Sequence, residues 1–478
     1  MPLSHKKNNM EFIKTKGKFI IGIFVIFIIL GGCGCKEKPQ SYKMNLEVWG
    51  AYDDSGDLEP LFNAYRETNP NIGSITYRKF TPETYREELI DAMAAGKGPD
   101  IFMVHNTWIP SFENKIAAAP SEVIGEQLFR ESLVDVTAFD FMKNNQVYAT
   151  PLTVDSLALY YNKDLFNAAG IVSPPQTWQE VNDVVEKLAK IDENGEITQQ
   201  GIALGTAKNI NRSVDILGLL MMQEGSAMAT EDGRARIDQS VNVDGELKVP
   251  GENAMRYYTQ FARTSSPLYT WNKRQHYSID AFIEGTAAMM LNYSWQYKTI
   301  QSKNEKLNFA VAEVPQLSQE APLSYANYWG FAVAARNDAN TGAVAGDPGF
   351  VVTNDMRINE AWQFLRFASL PIPQDGIVLK NARSGMTYRF AVEGDPTTLY
   401  LEKTGKPAAR RDLLETQFTD VILGPFAKGN LIAHSWVQVS VEANEAILAE
   451  AIDSVNMGAA TVTEAVELAA SRISKLAR

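Results

Sequence analysis

Cysteine is all but missing from this chain. Among 478 residues only Cys33 and Cys35 are cysteines, so no intrachain disulfide can brace anything beyond residue 35. Histidine is nearly as scarce: past residue 43 there are only His105, His276 and His434, too scattered for the clustered donors of a metal site. No Gly-x-Ser-x-Gly, His-Glu-x-x-His, Walker A or Gly-x-Gly-x-x-Gly pattern occurs, so neither a metal nor a cofactor is expected. Basic residues are outnumbered, 45 Lys and Arg against 57 Asp and Glu. A net charge of −12 speaks against nucleic acid as a partner. Beyond residue 30 no apolar run approaches the roughly 20 residues that cross a bilayer. A body of more than 400 residues without disulfides must hold together through its core, most simply as two lobes of ordinary domain size.

The N-terminus is where the apolar residues collect. Lys14, Lys16 and Lys18 precede a 12-residue apolar run, Phe19 to Leu30, and Leu30-Gly31-Gly32-Cys33 follows. A basic segment, a short apolar core and small residues make a secretory signal, expected over residues 1–32 with Met1 or Met10 as the start. Leu-Gly-Gly-Cys also resembles a bacterial lipobox, which implies lipidation of Cys33. Cys35 fits less well because Gly32 occupies its third upstream position. Cleavage before Cys33 leaves 40 basic and 56 acidic residues, a net charge of −16. The polar stretch to residue 43 then reads as a tether, on a protein that is extracytoplasmic and lipid-anchored to the cell membrane.

The body opens on alternating strands and helices. Met44 to Gly50 reads as a strand, Leu58 to Thr68 as a helix with Leu58, Leu61, Phe62 and Tyr65 on one face, and Ser74 to Phe80 as a strand. Thr81-Pro82 opens a helix that stops at Gly96, before the apolar strand Ile101 to Val104. Such alternation indicates an α/β fold with a mostly parallel sheet. Farther on, Thr177 with Glu180 and Thr461 with Glu464 have capping-box spacing.

The segment YYNKDLFNAAGIVSPPQTW, Tyr160 to Trp178, resembles the family 1 extracellular solute-binding proteins, the maltose-binding-protein-like receptors of ABC importers. Ala94-Ala95-Gly96 followed by Gly98-Pro99-Asp100-Ile101, the stretch Phe282 to Met289, Val314-Pro315, Tyr328 to Phe331, and Asn456 to Leu476 resemble further family elements in the same order. The resemblance implies a two-lobe periplasmic-binding-protein fold of type II, each lobe a mostly parallel sheet flanked by helices, with a hinge between lobes. It implies chain crossings near Val154 to Leu157, near Ala310 to Val314, and after Leu370. Lobe 1 is then 44–154 with 311–370, and lobe 2 is 155–310 with 371–478. Residues 343–355 and 376–406 depart from the family pattern as insertions.

Sugar rings present apolar faces and hydroxyl edges, so a sugar site wants flat aromatics together with carboxylates, amides and arginine. Residues just past predicted strands supply Trp49, Asp53, Asn106, Trp108 and Trp329 as candidates. By resemblance Trp295 and Trp436 stack on sugar rings. Trp271, on a loop, is a candidate cap of the cleft. Asp155 at the first crossing either faces the cleft or makes a hinge hydrogen bond. Asp53 either meets ligand or caps the following helix. Arg410 either approaches the cleft or pairs with Asp412. Trp178 and Trp362 sit in helical patterns and read as structural.

The function implied is capture of a sugar or oligosaccharide by a monomeric receptor that delivers it to the transmembrane subunits of an ABC permease. A receptor for a polyamine, peptide or other non-sugar solute shares the architecture. A surface glycosidase would need two carboxyls held about 5 to 10 Å apart across the bond, and no sequence feature fixes such a pair. The expectation is a binding protein and not an enzyme.

Overall fold

The computed structural model describes residues 43–243, 245–344, 347–380, 387–390 and 394–477. The signal segment, Cys33 and most of the tether lie outside the described residues. Among the described residues no helix is long and apolar enough to cross a membrane.

The first lobe is built on β1 (Met44–Gly50), α1 (Ser55–Thr68), β2 (Ile72–Lys79), α2 (Pro82–Ala94) and β3 (Ile101–His105). As the spacing predicts, Leu58, Leu61, Phe62 and Tyr65 form the buried face of α1. The second lobe contains β4 (Ala158–Asn162), α3 (Trp178–Leu188), α4 (Ser213–Gln223), β5 (Met289–Asn292) and β6 (Phe309–Ala312). The chain then returns through β7 (Trp329–Val333), α5 (Asn354–Ser369) and α6 (Pro396–Thr404), and closes with α7 (Val441–Asn456) and α8 (Val462–Leu476). The capping boxes form as spaced: Thr177 Oγ1 accepts from the Glu180 amide at 3.2 Å, and Thr461 Oγ1 from the Glu464 amide at 3.2 Å.

In the first sheet the order is β7-β3-β1-β2, parallel except for β7. Register aligns Trp329 with His105, so the start of β7 stands beside the carboxyl end of β3. In the second sheet β5 and β6 both pair antiparallel with the central β4. The mostly parallel character is thus a property of the first sheet. Each sheet has its own core. Val48, Leu61, Phe102 and Trp362 lie in the first, and Leu159, Leu217, Tyr258 and Met290 in the second.

Core membership moves two of the expected crossings. Val311, Val314 and Tyr325 pack in the second core and Ala326 in the first, so the second change of core falls after Tyr325, not near Val314. Tyr400, Leu401, Ala408, Ala409 and Leu414, expected in lobe 2, pack in the first core, and Trp436 returns to the second. The crossing expected after Leu370 therefore falls beyond Leu414. The connecting segments run side by side. Ser156 bridges Ala326, Ser324 and Tyr325 pair with Ala433 and His434, and the Asn327 amide donates to the Asp155 carbonyl at 3.0 Å. The two insertions fold in part as hairpins, Gly342–Val344 with Asp347–Val352 and Ile377–Lys380 with Thr387–Phe390.

Candidate functional site

The ends of β1 and β3 and the start of β7 meet in one aromatic wall. The Trp329 ring lies 5.0 Å from Tyr52, 5.0 Å from Trp108 and 5.1 Å from His105, centre to centre. Trp108 is buried, stacked on Phe112 at 5.5 Å, and Arg86 covers it at 5.4 Å. Tyr52, half exposed, and Trp329, partly exposed, therefore form the accessible side of this wall, with Trp108 behind them. His105 bonds Thr107 Oγ1 at 2.8 Å and Asn327 Oδ1 at 3.2 Å. Burial pushes its pKa down to about 4, so the ring is neutral at physiological pH.

Trp49 is corrected. Trp49 is buried on a face of β1 where its cross-strand neighbour Arg78 lies at 4.9 Å and Phe80 at 4.6 Å, and its Nε1 donates to Glu47 at 2.7 Å. Asp53 does not cap α1, whose N-cap is Asp54. Its buried carboxylate accepts from Tyr400 Oη at 3.1 Å and from Lys406 Nζ, while Oδ2 has no hydrogen-bond partner among the described residues. Asn106 is buried as well, donating to Asp140 at 3.1 Å.

The second wall follows β5. Trp295 is 39% exposed and stacks on Tyr293, 4.7 Å between centres and 20° between planes. The Arg212 guanidinium lies 5.3 Å from the Trp295 ring centre and 5.6 Å from that of Tyr293. Asp215, one turn into α4, accepts from Tyr293 Oη at 2.8 Å. Arg212, Asp215, Tyr277, Glu442 and Glu445 line an open cleft of about 440 Å³. Glu445 is pushed up to about 7 by burial first, then by the Asp215 carboxylate. Tyr52 of the first wall feels the Arg212 charge, so one guanidinium acts on both aromatic walls.

The remaining candidates lie elsewhere. Trp271 is wholly buried in the second core, with Nε1 donating to Asn209 Oδ1 at 3.3 Å, and caps nothing. Trp436 is buried in the same core, with Nε1 donating to Tyr325 Oη at 3.1 Å. Arg410 is buried in the first lobe between Asp395 and Asp412, each at 2.6 Å, so its expected partner is joined by a second acid. Asp155 makes the connector hydrogen bonds: its carboxylate accepts from Ser156 N at 3.0 Å, Ser294 N at 3.0 Å and Ser294 Oγ at 2.6 Å. Arg212, Asp215 and Glu445 are absent from the sequence-based candidates. The stretch Asn209 to Arg212, polar except for Ile210 and directly ahead of the apolar α4, is a local signal for the first two.

The profile of the bacterial extracellular solute-binding protein family matches residues 52–375. A binding protein of Brucella abortus (strain 2308) is 22% identical over 263 residues, 54% of this chain and 59% of the relative. The maltotriose-binding protein of Pyrococcus abyssi is 25% identical over 239 residues, 50% of this chain and 46% of the relative. The chain thus spans about half to three-fifths of the length of these curated relatives. Among solved structures, the cyclic alpha-maltosyl-1,6-maltose binding protein of Arthrobacter globiformis superposes with a TM-score of 0.68 at 17% identity, covering 91% of this chain and 99% of that one. That structural likeness establishes the type II periplasmic-binding-protein fold. With more than half of its length inside the family profile, the chain belongs to the bacterial extracellular solute-binding proteins.

Proposed function

We propose that the protein is the receptor of an ABC importer, capturing a mono- or oligosaccharide between its lobes and delivering it to the permease without chemical change. The observation that carries this reading is a pair of aromatic clusters, Tyr52 with Trp329 in the first lobe and buried Tyr293 beneath the part-exposed Trp295 in the second, together with a second-lobe cleft lined by arginine, carboxylates and an amide. Flat rings suit sugar faces, and the polar groups suit hydroxyl edges. The relatives named for maltotriose and for a cyclic maltosyl-maltose support a carbohydrate ligand. Of the sequence candidates, Trp295 and Trp329 carry the stacking. The side-by-side connectors support a hinge that closes on ligand and offers both lobe surfaces to the permease. The protein acts outside the cytoplasm as a monomer, held to the membrane by a lipid on Cys33, as its lipobox-like Leu30-Gly31-Gly32-Cys33 supports. A second reading, a receptor for a polyamine or other cationic solute, is favoured by the carboxylates Asp215, Glu442 and Glu445 in the cleft wall.

A thermal-shift screen of residues 43–478 against sugars, polyols, amino acids and polyamines separates the two. Sugars are expected to raise the melting temperature. Trp295→Ala is expected to weaken the best sugar about 10- to 100-fold, about 1.4 to 2.8 kcal/mol, by calorimetry. A polyamine that binds tightly with no response to any sugar overturns the carbohydrate assignment. Hydrolysis of a bound oligosaccharide overturns the receptor reading.

A further inference from the structure

Arg212 is anomalous in three respects. Its backbone is left-handed, at φ +62°, a conformation that glycine or asparagine adopts readily and arginine does not. Its Nε is shielded from solvent and has no hydrogen-bond partner among the described residues. Among the described residues it makes no ion pair, although Asp215 and Glu445 are the two acids whose fields act on it, Asp215 the more strongly. Glu445, in the second turn of α7, likewise makes neither a hydrogen bond nor an ion pair among the described residues, and it lines the same cleft. A guanidinium and a carboxylate thus stand on one wall, within each other's field yet beyond contact distance.

Backbone strain kept at one position points to a requirement imposed there by function. A ligand entering this cleft must complement both groups. An anionic ligand satisfies Arg212 but meets Asp215, Glu442 and Glu445. A cationic ligand satisfies the acids and is repelled by Arg212. A hydroxyl accepts from a guanidinium and donates to a carboxylate at the same time, with no net charge. The adjacent Tyr293–Trp295 stack offers the apolar face that the ring bearing such a hydroxyl requires.

We propose that Arg212 and Glu445 are the specificity pair of the cleft, bracketing a hydroxyl of a neutral carbohydrate, Arg212 donating to it and Glu445 accepting from it. This rests on the receptor reading above and adds to it the charge class of the ligand and the residues that select it. The pair also gives Arg212 its structural reason: the left-handed turn ahead of α4 aims the guanidinium at the ring stack instead of along the helix.

The test uses the full-length chain in mild detergent. The probes are glucose, galactose and mannose with their uronate and 2-amino counterparts, and maltotriose, read by thermal shift and calorimetry. Neutral members are expected to bind best. Arg212→Gly and Glu445→Gln are each expected to weaken the best neutral sugar about 10- to 100-fold, and the double variant no more than the worse single one, because the two groups act on one hydroxyl. Arg212→Gly is itself expected to melt no lower than the parent, since glycine relieves the left-handed backbone, so weakened binding cannot be laid to misfolding. Preference for a uronate or an amino sugar overturns the proposal, as does unchanged affinity in either single variant. Silence from every probe, in parent and variants alike, takes the carbohydrate reading down with it. An unchanged affinity in the variants removes the specificity pair alone.

Discussion

Replacing Asp100 with alanine is expected to cost about 3 to 5 kcal/mol of folding stability, one of the largest single losses available in this chain. Asp100 is fully buried, and its carboxylate gathers partners distant in sequence. Oδ2 accepts from the Glu47 amide at 2.8 Å; Oδ1 accepts from Asn337 Nδ2 at 3.0 Å and from Arg357 Nη1 at 3.4 Å. Arg357 is buried as completely, and burial holds its guanidinium below the ordinary value. Its other bonds go to Asn354 Oδ1 and the Ala334 carbonyl, neither of them charged. Alanine at position 100 therefore leaves a cation inside the first lobe without its carboxylate. The check is the denaturant midpoint followed by two probes. Asp100→Ala combined with Arg357→Met should recover most of the loss, because deleting both charges removes the uncompensated one. A single variant within about 0.5 kcal/mol of the parent would show that the pair is bystander to the core.

Asp100 belongs to the Gly98-Pro99-Asp100-Ile101 stretch, one of the elements that carry the family resemblance, and it illustrates what a sequence does and does not disclose. The stretch itself is local and visible; its partners, Glu47, Asn337 and Arg357, come from three other segments. Local signals transfer well for the same reason. The boxes at Thr177 and Thr461, the buried face of α1 and the strand ends at Gly50 and His105 each depend on a few neighbouring residues. Tryptophans transfer poorly. Whether an indole reaches the cleft depends on what covers its face, and Trp49 is covered by Arg78 and Phe80, Trp271 by the second core. The residues from 371 to 414 failed in another way. Tyr400, Ala408 and Leu414 are apolar enough for either core, and long-range contacts such as Tyr400 and Lys406 reaching Asp53 and Ala408 bridging Thr153 show to which lobe they attach. Arg212 was invisible because nothing near it announces a left-handed arginine, and its ring partners lie some 80 residues away.

Asp155→Asn is expected to stabilise the protein progressively as pH rises from 4 to 8, relative to the parent. Burial lifts the Asp155 carboxyl from the ordinary aspartate value of 3.8 to about 7, outweighing its bonds from Ser294 and Ser156 and the attraction of Lys406. A folded-state pKa above the unfolded one means the folded protein binds this proton more tightly. The associated stability is complete below about pH 4 and is lost as pH climbs through 7, by about 4 kcal/mol in all at 1.36 kcal/mol per unit. Asparagine has no proton to lose. The difference in unfolding free energy between variant and parent should therefore grow across that window by an amount of this order. Asp140, pushed up to about 6, and Glu445, pushed up to about 7, titrate in both proteins and cancel in the difference. Parallel profiles from pH 4 to 8 would refute the assignment. A carboxylate that weakens the fold at neutral pH needs a reason to be there, and its geometry supplies one. Ser294 lies between Tyr293 and Trp295, and both its N–H and its hydroxyl donate to Asp155, which tethers the second aromatic wall to the first crossing. Asparagine keeps one acceptor oxygen and turns the other into a donor facing that N–H. The hydroxyl can rotate to accommodate it; the amide cannot. On the proposed reading, the variant should gain stability at pH 8 while losing affinity for sugar, the exchange expected where a site is held in place at the expense of the fold.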